Sequence, residues 1–137
     1  MAGSVLDASV ALAWMLPGED LVEHARQIAD RVARDGGLAP SIWRLEVANG
    51  LLAAARRGRI EAAAIPELLG RLAGVPVTID AETSARAWDS TVGLAIRHRL
   101  TSHDAAYLEL AIRAQRPLTT FDGDLRSAAE AEGIELV

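Results

Sequence analysis

The chain has 137 residues, half of them hydrophobic, and a formal net charge of −5. That length suits one folding unit over residues 1–137 with one site, and the apolar share is enough for a core and argues against intrinsic disorder. Cysteine is absent and all 14 basic residues are arginine, which excludes disulfides, zinc fingers, a thiol nucleophile and the lysine of a Walker-type phosphate loop or a receiver-type phosphorylation site.

The acidic balance is the wrong sign for a protein that coats nucleic acid through counterion release. It suits a site where acids gather around metal ions and phosphate approaches through the metal. The N-terminal stretch lacks a basic region and carries Asp7 among apolar residues, unlike a signal peptide, and no segment is long and apolar enough to span a bilayer. A cytoplasmic protein with no membrane contact is expected.

Residues 4–6 read as a short strand ending at Asp7, and Ala8 to Leu16 as a helix broken by Pro17-Gly18. Residues 19–35 place Leu21, Ala25, Ile28, Ala29 and Val32 at helical spacing before Gly36-Gly37. Leu38-Ala39 is a brief strand candidate. A helix follows from about Ile42 to Arg57, closed by Gly58, and another from about Glu61 to Ala73, with Pro66 near its first turn or as a kink.

Val75 to Ile79 is β-branched and apolar and reads as a strand; Ala81 to Arg99 reads as one helix built around Ala85, Trp88, Val92 and Ile96. Thr101-Ser102 caps a helix through Ala114, Pro117 to Phe121 is a strand, Leu125 to Glu132 a helix and Ile134 to Val137 a last strand. Short apolar strands alternating with helices call for an α/β fold: a three-layer α/β/α sandwich on a parallel sheet of about five strands. Ligands in such sheets bind beyond the carboxyl ends of the strands, near the reversal of strand order.

Four carboxylates stand out. Asp7 and Asp122 each follow a predicted strand, and Asp104 lies in the first turn of a helix. Each also has an ordinary explanation as an N-cap or as a partner of the helix dipole. Glu46 has no capping role to explain it; it lies within an apolar helix, either on an exposed narrow polar stripe with Asn49, Ala53 and Arg57 or with that stripe facing the sheet edge. Together the four make an oxygen-rich set, read as three acids at strand-to-helix junctions plus one on a helix, which suits magnesium or manganese rather than zinc. His24, His98 and His103 show no zinc-ligand spacing.

The segments VLDASVALAWMLPGE, PSIWRLEVANGLLAAARRGRI and LTSHDAAYLELAIRAQRPLTTFDGDL follow in order across essentially the whole chain. In them the sequence resembles the PIN domains, and specifically the VapC-type toxins of bacterial toxin–antitoxin pairs. The opening Asp-x-Ser falls at Asp7 and Ser9, and the remaining acids at Glu46, Asp104 and Asp122; His103 stands where relatives often place an aromatic residue, and Asp124 neighbours the fourth acid.

The resemblance implies a Mg²⁺- or Mn²⁺-dependent endoribonuclease that hydrolyses RNA with an activated water, a homodimer, and silencing by a small antitoxin protein. Asp7, Glu46, Asp104 and Asp122 would hold one or two ions. Ser9 and Thr120 either support the acids by hydrogen bonds or serve as a cap hydroxyl and a strand former. Arg44, Arg56, Arg57 and Arg59 either contact RNA or the partner or are solvated surface charge. Trp14, Trp43 and Trp88 are read as core or interface residues, and an apolar groove formed by the first helices as the seat of an amphipathic antitoxin segment and of dimerisation. Two rivals remain: a non-catalytic PIN-like scaffold that binds protein or RNA, and a metal-dependent phosphohydrolase, which would want a second acid where Ser9 stands.

Overall fold

A computed structural model describes residues 3–16 and 22–137. Its centre is a parallel sheet of four short strands: β1 (Val5–Leu6), β2 (Gly37–Ala39), β3 (Val77–Ile79) and β4 (Leu118–Thr119), in the order β3-β2-β1-β4. The register pairs Val5 with Leu38 on one side and with Leu118 on the other. Beyond β4 the expected fifth strand is reduced to a single parallel bridge, Leu118 to Leu136, with Leu118 N–H donating to the Glu135 carbonyl.

Helices α1 (Ala8–Met15), α2 (Val22–Asp35), α3 (Trp43–Arg56), α4 (Ile65–Ala73), α5 (Thr83–Arg86), α6 (Val92–His98), α7 (Ser102–Ala114) and α8 (Gly123–Ala131) flank the sheet. The three-layer expectation holds, with one fewer full strand than expected. Val5, Leu6 and Leu118 are completely buried, as a sheet covered on both faces requires. The expected turn at Pro17-Gly18, and Leu21 on the second helix, lie outside the described residues; the inward positions Ala25, Ile28 and Val32 of α2 are buried.

Pro66 falls in the first turn of α4, where a missing N–H goes unnoticed, and a 3₁₀ turn at Ala62–Ala64 precedes it. Trp14 donates from its indole Nε1 to the Ala25 carbonyl at 2.7 Å, tying α1 to α2. A Cβ on Gly50 would lie 2.5 Å from Leu12 Cδ1, so the missing side chain lets α1 and α3 close up. Glu46, one turn earlier on α3, is thereby carried toward the end of β1.

The segment read as one helix from Ala81 to Arg99 is instead three pieces: α5, a π-helical turn at Ala87–Thr91, and α6, which ends on Arg99 in the left-handed conformation. The inward face is correspondingly different. Ala85, Trp88, Val92 and Ile96 all face solvent, Trp88 at 95% and Ile96 at 76% exposure, whereas Thr91 and Leu94 are buried. The wider π turn takes up an extra residue and rotates the following helix relative to a continuous 3.6-residue period.

Candidate active site

Strand order reverses at β1, so the crevice between the carboxyl ends of β1 and β4 is the topological switch point of this sheet. Asp7 leaves β1 there and Asp122 follows β4. Asp7 is buried, at 6% exposure, and although it occupies the N-cap position of α1 its side chain makes no capping bond. Its Oδ2 instead accepts two hydroxyls, from Ser9 Oγ at 2.7 Å and from Thr120 Oγ1 at 2.7 Å.

Each hydroxyl also accepts from the backbone beyond β4: the Phe121 N–H reaches Ser9 Oγ at 3.1 Å and the Asp122 N–H reaches Thr120 Oγ1 at 3.0 Å. Two parallel relays thus join one carboxylate oxygen of Asp7 to the exit of the neighbouring strand. Arg126 donates to the Thr120 carbonyl at 3.1 Å and holds the same segment from α8.

Asp122 does act as a cap. Its Oδ1 accepts from the N–H groups of Asp124 at 2.9 Å and Leu125 at 3.4 Å. Asp124 is exposed in the first turn of α8. Asp104 sits in the first turn of α7, whose capping bond comes from Thr101 Oγ1, which accepts the Asp104 N–H at 3.1 Å. No strand precedes α7; the chain enters it straight from α6, because the left-handed Arg99 turns the backbone without an intervening extended run. The reading of three strand-to-helix junctions therefore holds for two acids, with Asp104 at a helix-to-helix junction.

Glu46, in the first turn of α3, accepts a short hydrogen bond on Oε1 from the phenol of Tyr107, which is fully buried on α7. Tyr107 was not singled out in the sequence, where it reads as one more apolar member of α7. Its spacing of three from Asp104, which puts both on one helix face, is the signal that points to it.

The acids feel one another. Burial raises the proton affinity of Asp7 above the ordinary carboxylate range; the Thr120 and Ser9 hydroxyls oppose this, and the negative charge of Asp122 adds to it. Burial also raises Glu46, opposed by the Tyr107 hydrogen bond and reinforced by Asp7 and Asp104. Asp104 is raised by burial and then by Asp122 and Asp7. The Tyr107 phenol is pushed well up by burial and by its bond to Glu46. These four carboxylates form one electrostatic unit at the sheet edge.

A groove of about 430 Å³ opens on this unit, with Glu46, Asp104, His103, Ile42 and Leu45 among its walls. The donor set is oxygen only and negatively charged, and Asp7, Asp104 and Asp122 each raise another acid's affinity for protons; a hard divalent cation would relieve the same repulsion. Among the described residues no three His, Asp or Glu side chains converge closely enough to form a ready-made cage. The fit is one of charge and donor type.

Arg44, Arg56 and Arg57 lie elsewhere. Arg44 is about 200° around α3 from Glu46 and borders a different recess with Val47 and Leu72. Arg56 and Arg57 are exposed at the far end of that helix. His24 meets Phe121 edge-on, ring centroids 5.6 Å apart, whereas His98 bonds Glu132 at 2.6 Å, and Glu132 borders a recess that none of the four acids lines.

Comparison with solved structures finds the crystal structure of PAE2754 from Pyrobaculum aerophilum, with a TM-score of 0.70 and 24% identity, over 99% of this chain and 84% of that one. That likeness concerns the fold. No curated protein matches the sequence. The model of the PIN domain matches residues 4–131, a span that includes all four acids, and PIN domains are generally metal-dependent nucleases. With the sheet order, the acid cluster at its switch point and a match over nearly its whole length, the chain belongs to the PIN domain family.

Proposed function

We propose that the chain is a Mg²⁺- or Mn²⁺-dependent endoribonuclease that acts as the toxin of a toxin–antitoxin pair. The observation that carries this reading is the electrostatic coupling of Asp7, Glu46, Asp104 and Asp122 at one crevice, since such repulsion persists in a fold only where something offsets it. A divalent cation bound by these residues would supply a lowered water pKa and positive charge against the scissile phosphate.

The protein's own residues do the remaining work. Ser9 and Thr120 hold Asp7 through Oδ2 and Tyr107 holds Glu46 through Oε1, and these acids, with Asp104 and Asp122, would hold the cation. Asp122 is fixed by the first turn of α8. A set positioned in this way before substrate arrives needs little reorganisation when charge develops. The acidic groove would receive RNA phosphate through the cation rather than through Arg44, Arg56 or Arg57.

Two surfaces support the partners. The outward side chains of Trp88, Val92 and Ile96, spaced four apart, suit a homodimer, because exposed apolar patches mark interfaces. The recess of about 280 Å³ walled by Trp43, Leu69, Leu72 and Val77 suits an amphipathic antitoxin segment. Among the described residues, Trp43 Nε1 is the sole buried side-chain polar atom without a partner, and a peptide carbonyl would satisfy it.

The test is cleavage of total RNA by the purified protein, freed of any co-purified partner, with Mg²⁺ or Mn²⁺, with excess EDTA, and with Asp7→Asn prepared identically. Metal-dependent cutting that vanishes in the variant supports the nuclease. Inactivity of a folded wild type on both total and structured RNA turns the reading toward a non-catalytic scaffold.

A further inference from the structure

A second recess, of about 360 Å³, adjoins the acidic groove and shares Ile42 and His103 with it. Its other walls carry hydroxyls from four elements, including Ser41, Thr83, Ser84, Thr91 and Ser102. No arginine lines it. A phosphate is held by charge, so this neutral recess suits the uncharged parts of a nucleotide.

One wall is built to stay in place. Glu109, itself buried, accepts from Arg113 Nε at 2.9 Å, and Arg113 grips Asp80 through both terminal nitrogens, at 2.6 and 3.2 Å. Asp80 Oδ2 accepts the Thr83 hydroxyl at 2.9 Å, and Thr83 Oγ1 in turn accepts the Ser41 N–H at 2.9 Å. The carboxyl ends of β2 and β3 are thereby locked across the mouth of the recess.

Thr91 is different. Six polar or charged residues are buried in this protein among those described, and five of them, Ser4, Asp7, Glu109, Thr119 and Thr120, make side-chain hydrogen bonds. Thr91, 3% exposed, makes none among the described residues, and it stands in the π turn that lines the recess. Its hydroxyl is not among the fully buried unpaired atoms, of which Trp43 Nε1 is the sole one among the described residues, so it is open to a ligand in the recess, and π turns recur where a helix is adapted to one.

We infer that this recess is a nucleotide subsite that takes an unpaired ribonucleotide flanking the scissile phosphate, with its base read by the Thr91 hydroxyl and those of Ser84 and Ser102. Single-stranded RNA is recognised through splayed bases that are hydrogen-bonded on their edges and stacked on flat side chains. His103, exposed at the junction of groove and recess, supplies the flat ring. The bases differ in the pattern of donors and acceptors on their edges, and hydroxyls held at set places in the walls fit one pattern better than another, so the subsite confers a preference among bases on the position beside the cut. The inference rests on the ribonuclease reading for its substrate, and its test does not need turnover.

The probes are four hexaribonucleotides, oligo-A, oligo-C, oligo-G and oligo-U, titrated onto Asp7→Asn protein with Mg²⁺. Binding is followed by fluorescence anisotropy and by the methyl resonances of Ala87, Ala106 and Thr91. One homopolymer is expected to bind tightest and to shift those methyls. Adding Thr91→Val, which keeps the shape and removes the hydroxyl, should weaken that oligomer roughly five- to tenfold and level the four, while Thr91→Ser restores the order. Equal affinities with and without the Thr91 hydroxyl, or shifts confined to the acidic groove, overturn the subsite. Failure of the nuclease reading shows separately, as RNA left uncut by wild type.

Discussion

Replacing Asp7 by Asn should make the protein more stable while abolishing its activity. Asp7 is almost wholly buried, and burial together with Asp122 raises its proton affinity; its ionised form is therefore less favourable in the folded chain than in the unfolded one. Below about pH 4, where a free aspartate is protonated, this contributes no penalty. As pH rises from there toward the higher folded value, the native state retains a proton that the unfolded state has lost, and stability falls; above the folded value the penalty is complete. Each pH unit separating the two values corresponds to about 1.4 kcal/mol. Asn can still present an oxygen to Ser9 and Thr120, so the relays survive with weaker, uncharged bonds, a loss of about 1 kcal/mol. The relieved penalty is expected to exceed that loss, so Asp7→Asn should melt above wild type at pH 7.5. Thermal melts of both proteins without divalent ions, at pH 4 and pH 7.5, measure it. A variant less stable than wild type at pH 7.5, or a difference equal at both pH values, refutes the electrostatic account of the site.

Thr120→Val leaves the Asp122 N–H without its acceptor and Asp7 with one hydroxyl fewer, so chemical denaturation should show a loss of about 1–3 kcal/mol, largely restored in Thr120→Ser. Mg²⁺ or Mn²⁺ at a hundred times its dissociation constant should stabilise wild type by about 2.7 kcal/mol by mass action, and by far less in Asp7→Asn; differential scanning fluorimetry with an EDTA reversal checks this. Arg113→Ala removes the partner of two buried or nearly buried acids, Asp80 and Glu109, and should destabilise by about 3 kcal/mol. Burial opposes ionisation of Asp80, but its bonds from Arg113 and Thr83 prevail and hold it below the ordinary range. Its contribution is present at neutral pH and lost as pH falls through the folded value, so the wild-type advantage over Arg113→Ala should shrink in acid.

Much of this fold was legible because the patterns were local. Glycines after α2 and α3, the Thr101 cap and the inward spacing of Ala25, Ile28 and Val32 all act within a turn or two of their own position. The segment from Ala81 to Arg99 defeated the same reasoning, since a single wide turn changes which residues face inward and a fixed helical period cannot register it. At the site, the four acids could be picked out by residue type and order. What each one touches depends on neighbours far along the chain: Thr120 is 113 residues from Asp7 and Tyr107 is 61 from Glu46. The bland capping account of Asp7 could only be dismissed once its side chain was seen to turn toward those hydroxyls, whereas for Asp122 the cap and the site coexist.

The two hydroxyls on Asp7 Oδ2 have a bearing on ion selectivity. A carboxylate with one oxygen already occupied offers a cation one-point attachment, and Glu46, with Oε1 held by Tyr107, is restricted in the same way. Calcium favours seven or eight ligands and readily takes carboxylates by both oxygens, whereas magnesium accepts about six at short, near-octahedral positions and keeps several waters. In the proposed metal site two acids of the four would thus be biased by their supporting bonds toward the smaller ion. Discrimination against calcium would then reside in Ser9, Thr120 and Tyr107, three residues that need never touch the metal.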